Sequence, residues 1–474
     1  AARMSVSPAL KWDEAEQMLW SQQLAWGYGA QPPLYTWLQW ALNLVFGPSV
    51  LALSLLKHAL LALTYALMYL AGRELLGPRG AWWASASMLL LPALGWYSIR
   101  DQTHTILVTA MTCGAWWLLL RIVRQPRPLD FAALGLVCAL GLLAKYSFAL
   151  VIAAMLLAAL SVPESRRALL SRGWWWAPLV GLIVVAPHAA WLMAHLQEAT
   201  TGTIGKMQIH PERRLGKGLL SFADGIAGTL ALWAIVAVWA FRGAWWRRPL
   251  APAMPWAHRV FVRYHVLVLL ALLGMVLFAG VTNFKGRWVL PLLCAVPLAA
   301  FAARPELQQH PRGGRYTGAI VVMAIVILAA AGIRPWFSGL RGEADELNHP
   351  AAELGVALRA AGYDGVSPII ASDHMMAGML RTRFPQATVD ACTSEEEDVP
   401  RCVAANVARA QAAGQGWLLI SRADRIEPGW WDKADSALQA PAPLQTIELP
   451  FHMVRDGMAP AQYPYRWHAA GARP

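Results

Sequence analysis

Two adjacent carboxylates, Asp13 and Glu14, stand near the start of a chain that is otherwise strongly apolar. Adjacent residues on a helix point about 100° apart, so one acid can face a cavity while the other faces a neighbouring backbone or cation. A carboxylate can take a proton from a hydroxyl group, which makes general-base catalysis one interpretation of the pair. The other interpretation is a solvated helix N-terminus, where acids are favoured by the helix dipole.

A second acid and a histidine stand together further along the chain. Asp101 follows Arg100, and His104 comes three residues later. A structural ion pair and a boundary histidine are the alternatives to a role in chemistry. Together with Asp13 and Glu14, these two residues could bind a divalent cation such as Mg²⁺ or Mn²⁺, but no fixed ligand spacing supports a metal site. The sequence therefore does not decide whether the protein binds a divalent cation.

Basic residues form three further groups. Lys145 is isolated between apolar stretches, where it either extends toward the membrane interface or contacts a phosphate. Lys285 and Arg287 share a short turn, and the planar guanidinium of Arg287 can hold a phosphate with two hydrogen bonds. The loop 197–217 carries Lys206, His210, Arg213, Arg214 and Lys217. Such a cluster favours phosphate binding, with a solvated contact to anionic lipid as the alternative.

The composition places these residues in a polytopic membrane protein. Of 474 residues, 57% are hydrophobic and 14% charged, and 25 are Trp. The net charge of +12 comes from short basic clusters between apolar runs, as in cytoplasmic loops, so no nucleic-acid partner is expected. About 20 apolar residues cross a bilayer, which predicts about ten spans. They are 50–72, 80–98, 104–123, 130–144, 146–162, 174–195, 218–241, 263–281, 286–303 and 316–334.

The charge distribution predicts an orientation. If residues 1–49 lie outside, the loops assigned to the inside carry the larger share of Lys and Arg. The stretches 130–144 and 146–162 are then a hairpin with Lys145 at its outer tip, or else one re-entrant element. Residues 1–11 have neither a charged start nor an apolar core, so an upstream helix is expected to precede them.

From Pro335 onward, the hydrophobic runs become shorter and acidic residues appear. Residues 366–371 and 417–421 are typical of short buried strands, and helical patterns cover 351–361 and 403–413. We therefore predict two domains, a membrane domain over 1–334 and a small α/β domain over 335–474. Cys392 and Cys402 flank an acidic run in this tail and could pair, which indicates an oxidising compartment.

The opening of the chain resembles a known family. Residue order and spacing in Asp13-Glu14-Ala15, Leu19-Trp20-Ser21-Gln22, Trp26-Gly27-Tyr28, Pro32-Pro33-Leu34 and Trp37-Leu38 resemble the first extracytoplasmic loop of bacterial polyprenyl-phosphate-sugar-dependent glycosyltransferases. That superfamily includes aminoarabinose transferase, lipopolysaccharide galacturonic acid transferases and protein O-mannosyltransferases. The resemblance implies a mainly α C-type glycosyltransferase fold, with the active site at the outer face under interfacial helices of the first loop.

The resemblance also implies roles for single residues. Asp13 would be the general base or orient the acceptor, Glu14 would support it, and Asp101 would be the acid at the helix junction. Lys145 would contact the donor phosphate with the other cations named above. Residues expected at the substrates are Trp12, Tyr28, Gln31, Tyr35 and His104. Gln31 departs from the pattern, because relatives often carry Lys or His there.

The implied activity is transfer of a sugar from a polyprenyl phosphate to an acceptor outside the bacterial inner membrane. The acceptor would be lipopolysaccharide, lipid A or another envelope glycan, and a protein acceptor is the alternative within the superfamily. A transporter or flippase would instead place charges or broken helices at mid-bilayer in paired halves. In a third hypothesis, the tail is a binding module and the membrane part only anchors it. An anchor would not need both acidic and basic residues at the outer face, so this hypothesis does not explain them.

Overall fold

The computed structural model describes residues 2–197, 199, 207, 214–246, 252, 254–393, 398–438, 441–455 and 457–471. Its contacts divide the chain into two compact units. The sheet unit comprises Ala1–Leu24, Thr36–Leu56 and Ala329–Pro474, and the helical unit comprises Ala25–Tyr35 and Lys57–Leu328. The predicted domains follow the order of the chain, whereas these units are assembled from separate stretches of it.

Helices account for most of the described chain. The first seven are α1 (Ala2–Val6), α2 (Trp12–Trp20), α3 (Leu34–Phe46), α4 (Val50–Leu75), α5 (Pro78–Ala86), α6 (Pro92–Gly95) and α7 (Tyr97–Asp101). The next seven are α8 (His104–Arg124), α9 (Pro128–Ala144), α10 (Phe148–Ser161), α11 (Pro163–Leu169), α12 (Trp176–Ala194), α13 (Arg214–Phe241) and α14 (Pro255–Ala279). They are followed by α15 (Gly286–Leu293), α16 (Val296–Ala303) and α17 (Gly313–Leu340).

Seven helical stretches of the described chain are long and apolar enough to cross a membrane. They coincide with the predicted spans 50–72, 104–123, 174–195, 218–241, 263–281, 286–303 and 316–334. A bent pair, α10 and α11, turns by 112° and would make an eighth. The chain is thus a multi-pass membrane protein, as predicted.

Three predicted spans differ from the structure. The prediction of one helix over 80–98 is wrong, because α5 passes into the 3₁₀ turn Ser87–Leu90 and Pro92 then starts the short α6. Proline lacks a backbone N–H and fits the first turn of a new helix rather than the interior of an old one. Helix α9 is shorter than a full span, and α10 bends at Val162–Pro163. Residues 145–147 join α9 to α10, and the hairpin interpretation stays a prediction.

Helices of similar apolar composition differ in how many of their residues are buried. Most of α8 is buried within the helical unit, so it lies at the centre of that bundle. The residues of α12 are exposed or half-buried, and His188 is its one buried residue. An apolar helix with an exposed apolar surface is suited to contact with lipid.

The sheet unit contains a five-stranded sheet in the order β2-β1-β3-β5-β4. The strands are β1 (Ile369–Ala371), β2 (Val389–Ala391), β3 (Trp417–Ile420), β4 (Gln445–Leu449) and β5 (Ala461–His468). Strand β1 is parallel to β2 and β3, whereas β5 is antiparallel to β3 and β4. Two α-helices connect the parallel strands, α19 (His374–Arg383) between β1 and β2 and α20 (Val399–Ala412) between β2 and β3, and α18 (Ala351–Ala360) precedes β1.

Both faces of this sheet are covered. Ile369 and Leu418 pack into one core with α18, α19 and the residues Ala9 and Leu19 of the first loop. Ile370 and Leu419, one position along, pack into a second core with α20 and α21 (Trp430–Asp435). Alternating side chains therefore point to opposite faces, and helix α2 is part of the first core.

A disulfide links Cys392, just after β2, to Cys402 in α20. Both sulfurs are buried in the second core, and the Cys392 carbonyl accepts a hydrogen bond from the Trp430 indole at 2.8 Å. The acidic residues 395–397 between the two cysteines lie outside the described residues. The bridge closes a short loop and ties α20 to the neighbouring strand.

Candidate active site

Helix α2 positions the two adjacent acids in its first turn. Lys11 precedes the helix with an extended backbone, at φ −86° and ψ 164°, so helical geometry begins at Trp12. Asp13 is half-buried and Glu14 is buried. The Glu14 carboxylate accepts hydrogen bonds from the Lys11 backbone N–H at 3.1 Å and from the Arg3 guanidinium at 2.8 Å. Glu14 thus has the surroundings of a positioning group, whereas Asp13 has more access to solvent.

Just before α2, the Lys11 ammonium is buried between two acids. It contacts Asp345 at 2.5 Å and Glu346 at 3.0 Å. Arg334 contacts the second oxygen of Asp345 at 2.9 Å. Burial raises the pKa of Asp345, but the charges of Lys11 and Arg334 and the hydrogen bonds to this carboxylate outweigh it and leave the pKa below its usual range. Trp12, the first residue of α2, contacts the His374 ring edge-on at 6.2 Å.

In the helical unit, the first-loop segment 25–35 folds into a tight turn. Tyr28 and Gln31 exchange backbone hydrogen bonds at 3.1 and 3.0 Å, and the Tyr28 hydroxyl accepts one from the Ala25 N–H at 3.0 Å. Burial raises the pKa of Tyr28, although the bond from Ala25 lowers it. Gln31, where the family pattern fails, thus closes the turn through its backbone.

Four predicted or neighbouring residues meet where α8 begins and the antiparallel α9 ends. We call Tyr35, His104, Thr105 and Lys145 the Lys145 cluster. The His104 Nδ1 lies 3.2 Å from the Ala144 carbonyl oxygen, and the Lys145 ammonium donates to the Thr105 hydroxyl at 3.2 Å. The Tyr35 and His104 rings are 5.4 Å apart. Three positions that are far apart in the sequence are thereby brought together.

The sequence did not single out His188 or Tyr146, which adjoin this cluster. The His188 Nδ1 lies 2.5 Å from the Trp26 carbonyl oxygen, and its ring is stacked on Tyr146 at 5.8 Å and 13°. Burial raises the pKa of Tyr146 to about 12. The missed signal is a histidine inside an apolar span, since ionisable groups at such depths are costly and usually inward-facing.

The remaining predicted cations are placed only in part. Lys217 is half-buried in the first turns of α13, Lys285 is exposed, and Arg287 is half-buried at the start of α15. The Lys285 ammonium lies 5.7 Å from the Trp288 ring centroid. The backbone of Arg214 starts α13. Lys206, His210 and Arg213 lie outside the described residues.

Asp101 ends the short helix α7 and is half-buried, and His104 starts α8 three residues later. In the part of the chain that the structure describes, no group of three or more His, Cys, Asp or Glu side chains is arranged to hold a metal ion. A divalent cation stays a prediction. Chemically, α2 offers a carboxylate that can accept a proton, and the Lys145 cluster offers an ammonium group that donates to the Thr105 hydroxyl.

Sequence comparisons relate the chain to known glycosyltransferases. A family described as dolichyl-phosphate-mannose-protein mannosyltransferase matches residues 30–191. The chain is 31% identical to the lipopolysaccharide core galacturonosyltransferase RgtA of Rhizobium johnstonii, over 96% of this chain and 92% of that protein. It is 32% identical to RgtB of the same organism, also a lipopolysaccharide core galacturonosyltransferase, over 81% of this chain and 78% of that protein.

The fold has a solved counterpart. The crystal structure of ArnT from Cupriavidus metallidurans in the apo state superposes with a TM-score of 0.62 at 13% identity, over all of this chain and 97% of that one. The fold prediction, a helical C-type membrane body with a small α/β domain, is confirmed. The chain belongs to the C-type glycosyltransferase superfamily, in the family of the lipopolysaccharide galacturonosyltransferases, and is a membrane glycosyltransferase.

Proposed function

We propose that the chain transfers a uronic acid sugar from a polyprenyl phosphate to the core of lipopolysaccharide. The observation that carries this proposal is the 31% identity to RgtA, which extends over 96% of the chain. ArnT from Cupriavidus metallidurans, a protein of the same fold, has been solved bound to undecaprenyl phosphate, which supports the donor class. The acceptor lies on the extracytoplasmic side of the bacterial inner membrane, where the disulfide between Cys392 and Cys402 is stable.

Asp13 is the proposed general base. Its carboxylate takes the proton of an acceptor hydroxyl, the hydroxyl oxygen attacks the anomeric carbon, and the bond between that carbon and the phosphate oxygen breaks. The electron pair of the broken bond leaves with the polyprenyl phosphate. A single displacement of this kind inverts the anomeric configuration. Glu14 holds the first turn of α2 in place through Arg3 and Lys11.

Lys145 is the proposed contact of the leaving phosphate, with Lys217, Lys285 and Arg287 as further donors. The phosphate gains negative charge as the bond breaks, so fixed cations stabilise the transition state more than the ground state. The basic residues Lys206, His210, Arg213 and Arg214 of the preceding loop are proposed for the same role from the sequence.

An apolar cavity in the helical unit suits the polyprenyl chain. Its volume is about 550 Å³, and it is lined by side chains of α8 to α12. Leu142 and Phe148, on either side of the Lys145 turn, are among them. A phosphate at Lys145 would therefore leave its hydrocarbon chain at one end of a cavity that offers almost no polar surface.

The substrate contacts and the cation complete the proposal. Asp101 is the second proposed catalytic acid, and the residues proposed to contact the sugars are Trp12, Tyr28, Gln31, Tyr35 and His104. A Mg²⁺ or Mn²⁺ ion held partly by the substrate phosphate is proposed with Asp13, Glu14, Asp101 and His104 as candidate ligands. Activity that survives EDTA treatment would remove the cation from the mechanism.

The decisive experiment is an assay of purified protein with polyprenyl-phosphate galacturonate and core lipopolysaccharide, wild type against Asp13→Asn. We expect transfer by the wild type and a rate lower by about 100-fold or more in the variant, because an amide cannot accept the proton. If the Asp13→Asn variant retains turnover, Asp13 is not the general base. Movement of an intact donor across the membrane without transfer would favour the flippase alternative.

A protein acceptor is the second candidate, because the family matched over residues 30–191 is described as a protein mannosyltransferase. The same assay separates the two acceptors. Label that enters a protease-sensitive product rather than lipopolysaccharide would favour protein O-glycosylation.

A further inference from the structure

Helix α2 is attached to the C-terminal part of the sheet unit at its beginning, middle and end. At the beginning, the Lys11 carbonyl accepts a helical hydrogen bond from Ala15 at 2.8 Å, so the place of Lys11 fixes the first turn. The Lys11 side chain is only 3% exposed, and its ammonium contacts Asp345 and Glu346. A cation at a helix N-terminus opposes the helix dipole, so this position needs acids from elsewhere in the fold.

In the middle, α2 and α19 touch backbone to backbone. A Cβ atom on Gly378 of α19 would lie 2.2 Å from the carbonyl oxygen of Ala15, which no real side chain could occupy. Met375 of α19 and Met18 of α2 share a small core. The spacing of the two helices is therefore set by the absence of a side chain at one position.

Beyond its end, α2 is attached to the edge of the sheet. The Gln22 side-chain amide donates to the Val389 carbonyl at 2.7 Å, and its oxygen accepts from the Val389 N–H at 2.9 Å. Strand β2 is an edge strand of the sheet, so the side chain takes the place of a neighbouring strand. Three separate contacts thus fix the position and rotation of the helix that carries Asp13.

We propose that the ion pairs of Lys11 with Asp345 and Glu346 are a positioning clamp, through which the C-terminal residues set where the Asp13 carboxylate stands. This inference rests on the role of Asp13 in the proposed function. Lys11 is a positioning residue that acts through the first turn of α2. In some proteins, buried polar or ionic groups contribute specificity of arrangement rather than stability, and we infer the same of this pair. A displacement of 1 Å at a reacting group can lower a rate about 100-fold.

The test compares Lys11→Met, Lys11→Arg and the matched control Arg409→Met in the full chain, reconstituted in lipid nanodiscs. Arg409 forms an ion pair with Asp390 in the same unit, but its side chain is 69% exposed. We expect Lys11→Met to lower kcat by about 10- to 100-fold while the KM for the donor stays unchanged. Lys11→Arg should recover most of kcat, and Arg409→Met should match the wild type. A purely structural role would lower the folded fraction and leave kcat per folded molecule unaltered, which would overturn the clamp.

Hydrogen exchange of the α2 amides gives a readout that does not depend on turnover. In Lys11→Met, we expect faster exchange in residues 12–20 and unchanged protection in β1 and β3. Unchanged exchange in α2 would overturn the clamp whatever the activity. If the Asp13→Asn variant keeps full turnover, Asp13 is not the general base. The hydrogen exchange of α2 in Lys11→Met then still tests the clamp. If Asp13→Asn loses turnover while Lys11→Met keeps kcat, the clamp is rejected and the proposed function stands.

Discussion

Lys11 in the sheet unit and Lys145 in the helical unit illustrate two uses of a lysine. The Lys11 side chain is almost fully buried and its ammonium contacts two carboxylates. The Lys145 side chain is half-buried at a helix end and contacts a hydroxyl at 3.2 Å. Two carboxylates neutralise the Lys11 ammonium, whereas the contact of the Lys145 ammonium with the Thr105 hydroxyl orients it. The surroundings of Lys11 suit a structural clamp, whereas the proposed role of Lys145 is to contact the donor phosphate.

Within this comparison of the two units, the largest expected effect comes from Lys145. Lys145→Met should lower kcat by about 100-fold, because the leaving phosphate loses a fixed cation, and Lys145→Arg should keep part of the rate. The matched control is Arg124→Met, since Arg124 pairs with Glu74 and is 46% exposed. Turnover of purified, folded protein checks the prediction. Equal losses in Lys145→Met and Arg124→Met would contradict a special role for Lys145.

In the sheet unit, the disulfide should affect stability and leave the chemistry alone. We expect the Cys392→Ser, Cys402→Ser double variant to lose about 2–3 kcal/mol of unfolding free energy, as a short closed loop implies. Urea unfolding followed by hydrogen exchange in β1 and β3 measures this loss. Dithiothreitol should destabilise the wild type and leave the double variant unchanged. A reductant effect of equal size in both would point to a cause other than this bridge.

A buried histidine makes the sheet unit sensitive to acid. Burial lowers the pKa of His349 to about 3, with a contribution from the nearby Arg422 and an opposing one from Asp424. Between pH 6.5 and 3 the unfolded chain therefore binds a proton that the folded chain does not. The contribution of His349 to the unfolding free energy is therefore fully present above pH 6.5. As the pH falls from 6.5 toward 3, this contribution is lost by up to about 1.4 kcal/mol per pH unit.

The variant His349→Gln should flatten this dependence, because an amide can still bond to the Tyr463 hydroxyl, which lies 3.0 Å from His349 Nδ1, and does not titrate. Calorimetric melting at pH 7, 6 and 5 checks the prediction. The melting temperature of the wild type should fall more steeply than that of the variant, and parallel slopes would assign the acid sensitivity to other groups.

The smallest effect is expected at an exposed pair of the same unit. Asp390 and Arg409 are 2.9 Å apart, but their side chains are 42% and 69% exposed. Asp390→Asn should change the unfolding free energy by less than about 0.5 kcal/mol, since surface ion pairs are screened by water and salt. Urea unfolding measures it. A loss as large as that of the disulfide variant would mean that exposure is a poor guide to which charges matter here.

Much of the membrane fold could be predicted from apolar length alone, because a bilayer demands about 20 apolar residues per helix. The apolar composition around Pro92 predicts one span, whereas the backbone there is broken into short helices. Strand β4 was missed because its residues are mostly exposed, and β5 because it contains Pro464. Apolar length also cannot tell the buried α8 from the exposed α12.

The candidate site was predictable in its residue types and less so in its contacts. The roles predicted for Asp13 and Lys145 follow from the family resemblance, and His104 is a candidate because it stands at the start of an apolar stretch. The contacts of Lys11 with residues 345 and 346 were not predictable, because nothing in a local pattern indicates a partner more than 300 positions away. His188 was missed for a similar reason, since its partner Trp26 lies in a distant loop.

The long separation between Lys11 and Asp345 has a consequence for biosynthesis. The two residues are 334 positions apart, so α2 leaves the ribosome well before the strands and helices that cover it. At about 5–20 residues per second, the wait is on the order of tens of seconds. During that time Ala9 and Leu19, later part of a buried core, have no partner from the sheet. The sheet unit can be completed only after α17 and the strands that follow it have been made. We therefore expect a chaperone to protect the segment around α2 until then.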